Sequence, residues 1–136
     1  MIIGSMQECI FCQIVAGKLP SYKVYEDEEF LAFLDIFPKS TGHTLVIPKK
    51  HVEWVWDLPA GRQVTPNLGK YFEVVGKIAK NHRKLAPDGI VRSIIWGWEV
   101  PHAHIHLLPG KSNDLSGEKL GDEKMKQIQR QFSLKK

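Results

Sequence analysis

The sequence predicts a single α+β domain: an antiparallel sheet of about five strands with a long central helix and short terminal helices. Three observations support this prediction. Apolar runs of strand length are joined by short polar links, which favour antiparallel pairing. Residues 68–85 place Tyr71, Val74 and Ile78 at helical spacing. The length of 136 residues is enough to bury a core in one domain that spans residues 1–136.

The predicted elements follow one another as helix, three strands, long helix, two strands and helix. An irregular leader at residues 1–7 precedes a short helix over residues 8–16, which ends at Gly17. Strands are predicted over residues 22–26, 30–36, 42–48, 90–95 and 101–109. A helical turn follows His51, and a loop over residues 110–121 leads to a last helix over residues 122–132. Residues 111–136 therefore form a C-terminal loop and helix.

Composition and charge exclude several classes of function. The hydrophobic fraction of 43% and the charged fraction of 25% are those of an ordinary globular protein. No apolar run approaches the roughly 18 residues that cross a membrane, and the first residues lack a secretory signal, so we expect a cytoplasmic protein without a membrane partner. The net charge of +4 comes without a basic, aromatic-rich stripe, so no nucleic-acid partner is expected. A mild positive potential favours small anionic substrates such as phosphates.

Three alternating histidines, His102, His104 and His106, are the most informative feature of the sequence. In an extended strand such residues share one face, and Ala103 and Ile105 point to the other face. The apolar strip belongs in a core. The imidazole row offers neutral nitrogens that act as nucleophiles or metal ligands. The alternative interpretation is a polar strand face that happens to be rich in histidine.

The two cysteines, Cys9 and Cys12, form a C-x-x-C pattern near the start of the chain. No strand precedes the pair, as a thioredoxin-like redox site would require, and no export signal favours a structural disulfide. Thiolates combine with imidazoles in zinc sites, so half of a zinc site is the preferred interpretation. An inert pair and a redox pair stay open.

Two further polar residues interrupt apolar patterns. Asp35 ends a nearly continuous apolar run, where it either caps the turn around Pro38 or belongs to a site at the strand end. His82 recurs at the spacing of the long helix, which predicts a helix-surface or core-edge residue outside the site.

Several segments together resemble the histidine triad (HIT) family, in their order and in their spacing. The segments are residues 9–12 (CIFC), 25–27 (YED), 31–36 (LAFLDI), 42–51 (GHTLVIPKKH) and 102–108 (HAHIHLL). The similarity extends from about Cys9 to Gly110 and is greatest to the Hint branch of nucleoside phosphoramidate hydrolases. It implies the HIT fold, a purine nucleotide (AMP-like) substrate and a homodimer formed through the central helix region.

The resemblance also implies roles for individual residues. His104 is implied as the nucleophile that attacks the α-phosphorus, with His106 bonding a phosphate oxygen or the leaving group and His43 in the relay that orients the nucleophile. Asp35 is implied to bind the ribose hydroxyls, with Ile36 and Phe33 beside the base. The implied cofactor is a structural zinc ion with no organic cofactor, and the implied ligands are Cys9, Cys12, His51 and His102. Nucleophilic attack by a neutral imidazole divides one difficult displacement into two easier steps.

The segment before the histidines departs from the family pattern. Trp98 and Glu99 stand where small polar donors to the phosphate are expected, and the segment is shorter. Glu99 is included among the candidate nucleotide-binding residues. It is either a solvent-facing charge or a group that acts on the leaving group or the relay, and a carboxylate that faced the phosphate would repel it.

Three functions are therefore compared. The first is a hydrolase or transferase that cleaves at the α-phosphate of a purine nucleoside phosphoramidate or dinucleoside polyphosphate through a covalent nucleotidyl adduct of His104. The second is a metal-dependent hydrolase with a catalytic zinc on His102, His104 and His106. The third is a non-catalytic HIT module that binds a nucleotide or a partner. The first explains Asp35 and the segment around His43, which the second does not.

Overall fold

The computed structural model describes residues 9–134, so the leader predicted over residues 1–7 lies outside the described residues. The helices are α1 (Ile10–Val15), α2 (Leu68–Leu85) and α3 (Asp122–Phe132). The strands are β1 (Lys23–Glu26), β2 (Phe30–Leu34), β3 (Thr44–Pro48), β4 (Val91–Ile94) and β5 (Ile105–Pro109). A single 3₁₀ turn, Val55–Asp57, stands where a helical turn is predicted after His51.

The five strands form one antiparallel sheet in the order β1-β2-β3-β5-β4. Strand β5 lies between β3 and β4, so the last strand of the chain is also an inner strand of the sheet. This arrangement of one antiparallel sheet with three helices confirms the predicted α+β class.

The two faces of the sheet are covered differently because side chains alternate along each strand. On one face, Phe30, Ala32 and Leu34 of β2 pack in the main core with α2 and α3. On the other face, Leu31 and Phe33 belong to a smaller cluster that includes Phe11 of α1 and residues of β3. The α1 face is the one that holds the candidate site.

Helix α2 has the bounds that its apolar spacing predicts. The side chain of Asn67 accepts a hydrogen bond from the backbone N–H of Lys70 at 2.9 Å and so caps the first turn. Tyr71 is fully buried, and its hydroxyl donates to the carbonyl of Val46 at 2.6 Å, which fixes the helix to β3.

The strand predicted over residues 101–109, which contains the three alternating histidines, begins later in the structure. Hydrogen bonding of β5 starts at Ile105, because the backbone N–H of Ala103 donates to the carbonyl of Val52 in the loop after β3 rather than to a strand. The segment still alternates: Ala103, Ile105 and Leu107 lie in the main core, as predicted, and the histidines lie toward the α1 face.

The surface or core-edge position predicted for His82 is wrong, because its side chain is completely buried. The inner face of α2 places its Nε2 2.9 Å from the hydroxyl of Thr44, and the ring of Phe132 packs edge-on against the imidazole. Helical spacing alone does not reveal that a neighbouring strand offers a hydroxyl partner.

Within residues 9–134, none of the helices combines the length and the apolar character that crossing a bilayer requires.

Candidate active site and metal centre

A cavity of about 720 Å³ opens on the α1 face of the sheet. Its walls are mostly apolar and come from α1, from the segment after β2 and from the segment after β4. Its polar lining includes Asp35, His43, His104 and His106. A large apolar cavity with a few convergent polar groups is the usual form of a small-molecule site.

The strand register brings three of these polar residues together. Leu45 of β3 pairs with His106 of β5, and the backbone N–H of Asp35 donates to the carbonyl of His43 at 2.9 Å. Side chains two residues apart share a face of the sheet. Asp35 therefore lies on the α1 face like Phe33, and His43 lies on that face like Leu45. A carboxylate and two imidazoles that are distant in sequence therefore meet in the cavity.

The tautomer of His104 follows from its hydrogen bond. Its Nδ1 lies 2.8 Å from the carbonyl oxygen of His102, and a carbonyl oxygen only accepts, so Nδ1 carries the proton. In a neutral imidazole the other nitrogen, Nε2, then holds a free lone pair. The side chain is buried at 6% exposure and lines the cavity, so its Nε2 is held in a fixed position.

His43 and His106 form a directed chain of hydrogen bonds. The backbone N–H of Lys39 donates to Nδ1 of His43 at 3.1 Å, so the proton of neutral His43 is on Nε2. This Nε2–H donates to Nδ1 of His106 at 2.9 Å, which leaves the proton of His106 on Nε2. His106 therefore presents an N–H donor, while His104 beside it presents a lone pair.

Burial keeps both histidines of this chain neutral. The pKa of His43 and that of His106 are each lowered to about 4, mainly by desolvation and to a smaller extent by nearby positive charge such as that of Lys39. At neutral pH the donor chain therefore consists of uncharged imidazoles.

The two carboxylate oxygens of Asp35 have different surroundings. One carboxylate oxygen accepts the backbone N–H of Phe37 at 2.8 Å and so caps the turn after β2. The other oxygen lies 3.7 Å from Nε2 of His43 and lines the cavity. Burial raises the pKa of this carboxyl group, against the opposing influence of the Phe37 hydrogen bond.

The remaining predicted nucleotide-binding residues also line the cavity. Phe33 is buried in its wall, whereas Ile36 is 39% exposed. Glu99 is exposed and lines the same cavity together with Trp96.

The four predicted metal ligands converge in a separate cluster. Sγ of Cys9 and Sγ of Cys12 lie 3.3 and 3.4 Å from Nδ1 of His102, and Nδ1 of His51 lies 3.2 Å from Sγ of Cys12. The two Nδ1 atoms are 3.3 Å apart. All four donor atoms lie within 4.8 Å of one another.

These distances fit a tetrahedral zinc ion. With typical zinc bond lengths, tetrahedral nitrogen–nitrogen and nitrogen–sulfur edges are about 3.3 and 3.6 Å. The tautomer of His102 fits as well, because its Nε2–H donates to the carbonyl of Pro48 at 2.7 Å and leaves Nδ1 free to bind a metal. Two thiolates and two imidazoles form a closed set without an open catalytic position.

The same geometry disfavours a catalytic zinc on the three histidines. His102 joins the cysteine cluster, whereas His106 groups with Asp35 and His43. His104 uses its Nδ1 proton for a backbone carbonyl. The described residues thus divide the three imidazoles among different partners rather than directing them at one ion.

Two residues of the site were missed from the sequence. Lys39 lines the cavity, and its position between Asp35 and His43 was an available signal. Gly97 has φ of +114°, and a Cβ atom added there would collide with Nε2 of His104. A glycine inside the segment that departs from the family pattern was a weaker signal.

The HIT domain family model matches residues 16–113, well over half of the chain. The chain belongs to the HIT family. An uncharacterized HIT-like protein of Methanocaldococcus jannaschii is 42% identical over 120 residues, which cover 85% of this chain and 89% of that protein. The adenosine 5′-monophosphoramidase of Schizosaccharomyces pombe is 36% identical over 115 residues, which cover 83% and 81% of the two chains.

Solved structures with this fold include two bacterial family members. A HIT-like protein of Bartonella henselae superposes with a TM-score of 0.78 at 29% identity and covers 93% of this chain and 94% of its own. A zinc-bound histidine triad family protein of Mycobacterium smegmatis superposes with a TM-score of 0.72 at 32% identity and covers 94% and 92%.

Proposed function

We propose that this protein is a hydrolase that cleaves at the α-phosphate of a purine nucleoside phosphoramidate or dinucleoside polyphosphate through a covalent nucleotidyl adduct of His104. The observation that carries this proposal is the tautomer of His104, whose free Nε2 is held beside a cavity of nucleotide size. The relatives from Schizosaccharomyces pombe and Saccharomyces cerevisiae that are named adenosine 5′-monophosphoramidase support the substrate class.

The reaction takes place in two displacements. The lone pair of His104 Nε2 attacks the α-phosphorus, the phosphorus–nitrogen bond of the phosphoramidate breaks, and the amine takes up a proton from solvent as it leaves. The nucleotidylated ring keeps its Nδ1 proton, so it is cationic, and the carbonyl of His102 stabilises that proton. Water then attacks the phosphorus and returns one proton to solvent, the bond to Nε2 breaks, and the nucleoside monophosphate is released.

The other histidines stabilise the charge that develops on phosphorus. The Nε2–H of His106 donates to a phosphate oxygen or to the leaving group, and His43 fixes the orientation of that donor through the 2.9 Å hydrogen bond. A donor that is already in place needs no reorganisation during the reaction.

The rest of the cavity binds the nucleoside. Asp35 has one carboxylate oxygen that is not used by the turn, and this oxygen accepts from the ribose hydroxyls. The apolar wall that includes Phe33 and Ile36 covers the base. Glu99 contacts the leaving-group side, where its charge favours a cationic or protonated amine over a second phosphate.

We further propose that Cys9, Cys12, His51 and His102 hold a structural zinc ion. The ion, when bound, neutralises the two thiolates and ties α1 to the segment that holds His104. The homodimer implied by the family resemblance is tested by light scattering of the purified protein at several concentrations. The cytoplasmic location expected from the sequence stays a prediction.

The decisive experiment compares the wild type with His104→Ala for hydrolysis of adenosine 5′-phosphoramidate. Release of AMP by the wild type is expected to fall by about 10³-fold or more in the variant, because the nucleophile is absent. Rapid quenching during turnover with a denaturant at alkaline pH, where the phosphorus–nitrogen bond of the adduct is stable, followed by peptide mass spectrometry, is expected to find the mass of one nucleotidyl group on His104 of the wild type.

Three results separate the alternatives. Equal AMP release by both proteins overturns the nucleophilic role of His104. Nucleotide binding without turnover of either adenosine 5′-phosphoramidate or a dinucleoside polyphosphate points to the non-catalytic binding module or to another leaving group. Full inhibition by a chelator that leaves the fold intact points to a catalytic metal, which the distribution of the three imidazoles argues against.

A further inference from the structure

Lys39 is the one residue with a permanent positive charge among the described residues that line the cavity. The same lining contains the carboxylates of Asp35 and Glu99. A phosphate group that enters this cavity therefore meets two like charges, and a compact cation is required to offset them. Trp98 and Glu99 supply no small neutral donors that would take over this task.

The backbone of Lys39 is fixed from both sides. Its N–H donates to Nδ1 of His43 at 3.1 Å, which makes it the first member of the donor chain to His106. Its carbonyl accepts the N–H of Leu115 at 3.1 Å from the loop after β5. The two hydrogen bonds fix the backbone of Lys39, so its side chain begins from a fixed Cα position beside His43.

The ammonium group of Lys39 is held without a salt bridge. Its Nζ lies 5.4 Å from the centroid of the Trp96 ring, a cation–π distance, and across residues 9–134 no carboxylate lies within 4.0 Å of it. Trp96 is 50% exposed, and a cation on an exposed ring is held only weakly. The ammonium group thus has a resting place that a phosphate oxygen displaces easily.

We propose that Lys39 is the phosphate-binding cation of this cavity, that it contacts non-bridging oxygens of the phosphoryl group above His104, and that Trp96 positions it when no anion is bound. This inference rests on the proposed function and adds a residue to it. Because the backbone N–H of Lys39 donates to His43, the residue that would bind the anion is also a direct hydrogen-bond partner of the relay. The influence of its charge on His43, His106 and Asp35 places the ammonium group within electrostatic reach of all three.

The test compares AMP with adenosine as ligands of the wild type and three variants by titration calorimetry at low ionic strength. Lys39→Gln is expected to weaken AMP binding by about 10- to 100-fold, as for the loss of one charged hydrogen bond, and to leave adenosine binding within 2-fold. Lys39→Arg retains AMP binding within about 5-fold. Lys84→Gln removes the same charge from the exposed face of α2, away from the cavity, and is expected to match the wild type.

The role of Trp96 has its own measurement. Trp96→Leu is expected to strengthen AMP binding by about 2- to 5-fold, because the cation–π contact that a phosphate oxygen has to displace is removed. The dependence of binding on salt is expected to stay intact, because Lys39 is still present. In Lys39→Gln this salt dependence becomes shallower.

Equal losses for AMP and adenosine in Lys39→Gln, or no loss for either, overturn the inference about Lys39. If that result accompanies normal turnover of adenosine 5′-phosphoramidate by the wild type, the proposed function stands and Lys39 alone is excluded. If the wild type binds neither AMP nor adenosine and shows no turnover, the proposed function fails, and the inference fails with it.

Discussion

The Nδ1–H of His104 donates to the backbone carbonyl of His102 at 2.8 Å, while the side chain of His102 belongs to the cluster with Cys9 and Cys12. One residue therefore connects the cysteine–histidine cluster with the proposed nucleophile. The ring of Phe11 packs edge-on against both imidazoles, with centroid distances of 5.9 and 5.3 Å. Because the carbonyl of His102 accepts from His104, a change in the cluster is expected to alter the orientation of His104 as well.

Removal of one metal ligand tests this connection. Cys12→Ser is expected to reduce bound zinc from about one ion per chain to near zero and to lower the melting temperature by about 10 °C, because a structural zinc contributes several kcal/mol to folding. Elemental analysis and thermal denaturation measure the two effects.

A chelator provides the matched control for this variant. It is expected to lower the melting temperature of the wild type toward that of Cys12→Ser and to have no effect on the variant itself. A wild type that carries no zinc and melts independently of the chelator would exclude the structural metal.

Substitution of Gly97 tests the close approach of the loop to the nucleophile. Gly97→Ala is expected to lower turnover by at least about 100-fold, because the new methyl group displaces the imidazole of His104 from its position. Gly61→Ala is the matched control: its φ of +88° brings similar backbone strain, but nothing lies within 4 Å of the added atom. Similar activity in both variants would show that Gly97 does not constrain His104.

Glu99 is tested by removal of its charge. Glu99→Gln is expected to strengthen AMP binding by about 2- to 5-fold at low ionic strength, with a smaller gain at high salt, because a negative charge on the proposed leaving-group side of the phosphate is removed. The exposed turn residue Glu28 provides the control in Glu28→Gln. Unchanged affinity at low salt would assign Glu99 to the solvent instead.

The buried imidazole of His82 predicts a dependence of stability on pH. Burial lowers its pKa to about 4, and no partner faces its Nδ1 in the described part of the chain. The imidazole of His82 takes up a proton near pH 6.5 in the unfolded chain but only near pH 4 in the folded chain. Protonation therefore favours unfolding, so the contribution of the neutral imidazole to the free energy of unfolding is complete above pH 6.5 and is lost as the pH falls toward 4. The loss between pH 7 and pH 5 is about 2 kcal/mol for one such group.

The measurement is urea denaturation at pH 7 and pH 5 for the wild type and His82→Leu. His43, His102 and His106 also have lowered pKa values, so the variant is expected to keep a pH dependence but with a smaller slope. The Thr44 hydroxyl still donates to the carbonyl of Gly42 in the variant and is not left without a partner. Identical slopes would refute a titrating role for His82.

Helix and strand positions were largely predictable because their patterns are local. The apolar spacing of α2 gives its bounds correctly, and the continuous apolar run in β2 corresponds to five consecutive buried residues. The burial of His82 was not predictable, because it depends on a hydroxyl from a strand 38 residues away.

The candidate site was predictable in its members but not in its connections. The alternation along residues 102–106 indicated chemistry, and the family resemblance supplied the partners in the cysteine cluster. The tautomers of His43, His104 and His106 depend on single backbone groups, such as the N–H of Lys39, whose positions arise only in the folded chain. No sequence pattern encodes which nitrogen carries a proton.

The alternation of residues 102–106 also makes the length of this segment as important as its composition. One residue inserted between His102 and His104 would exchange the two faces of everything that follows. His106 would then enter the apolar core against α2, and Leu107 would point toward the cavity. We therefore expect insertions and deletions to be tolerated in the loops on either side of this segment but not within it, and an engineered change of specificity should be made in those loops as well.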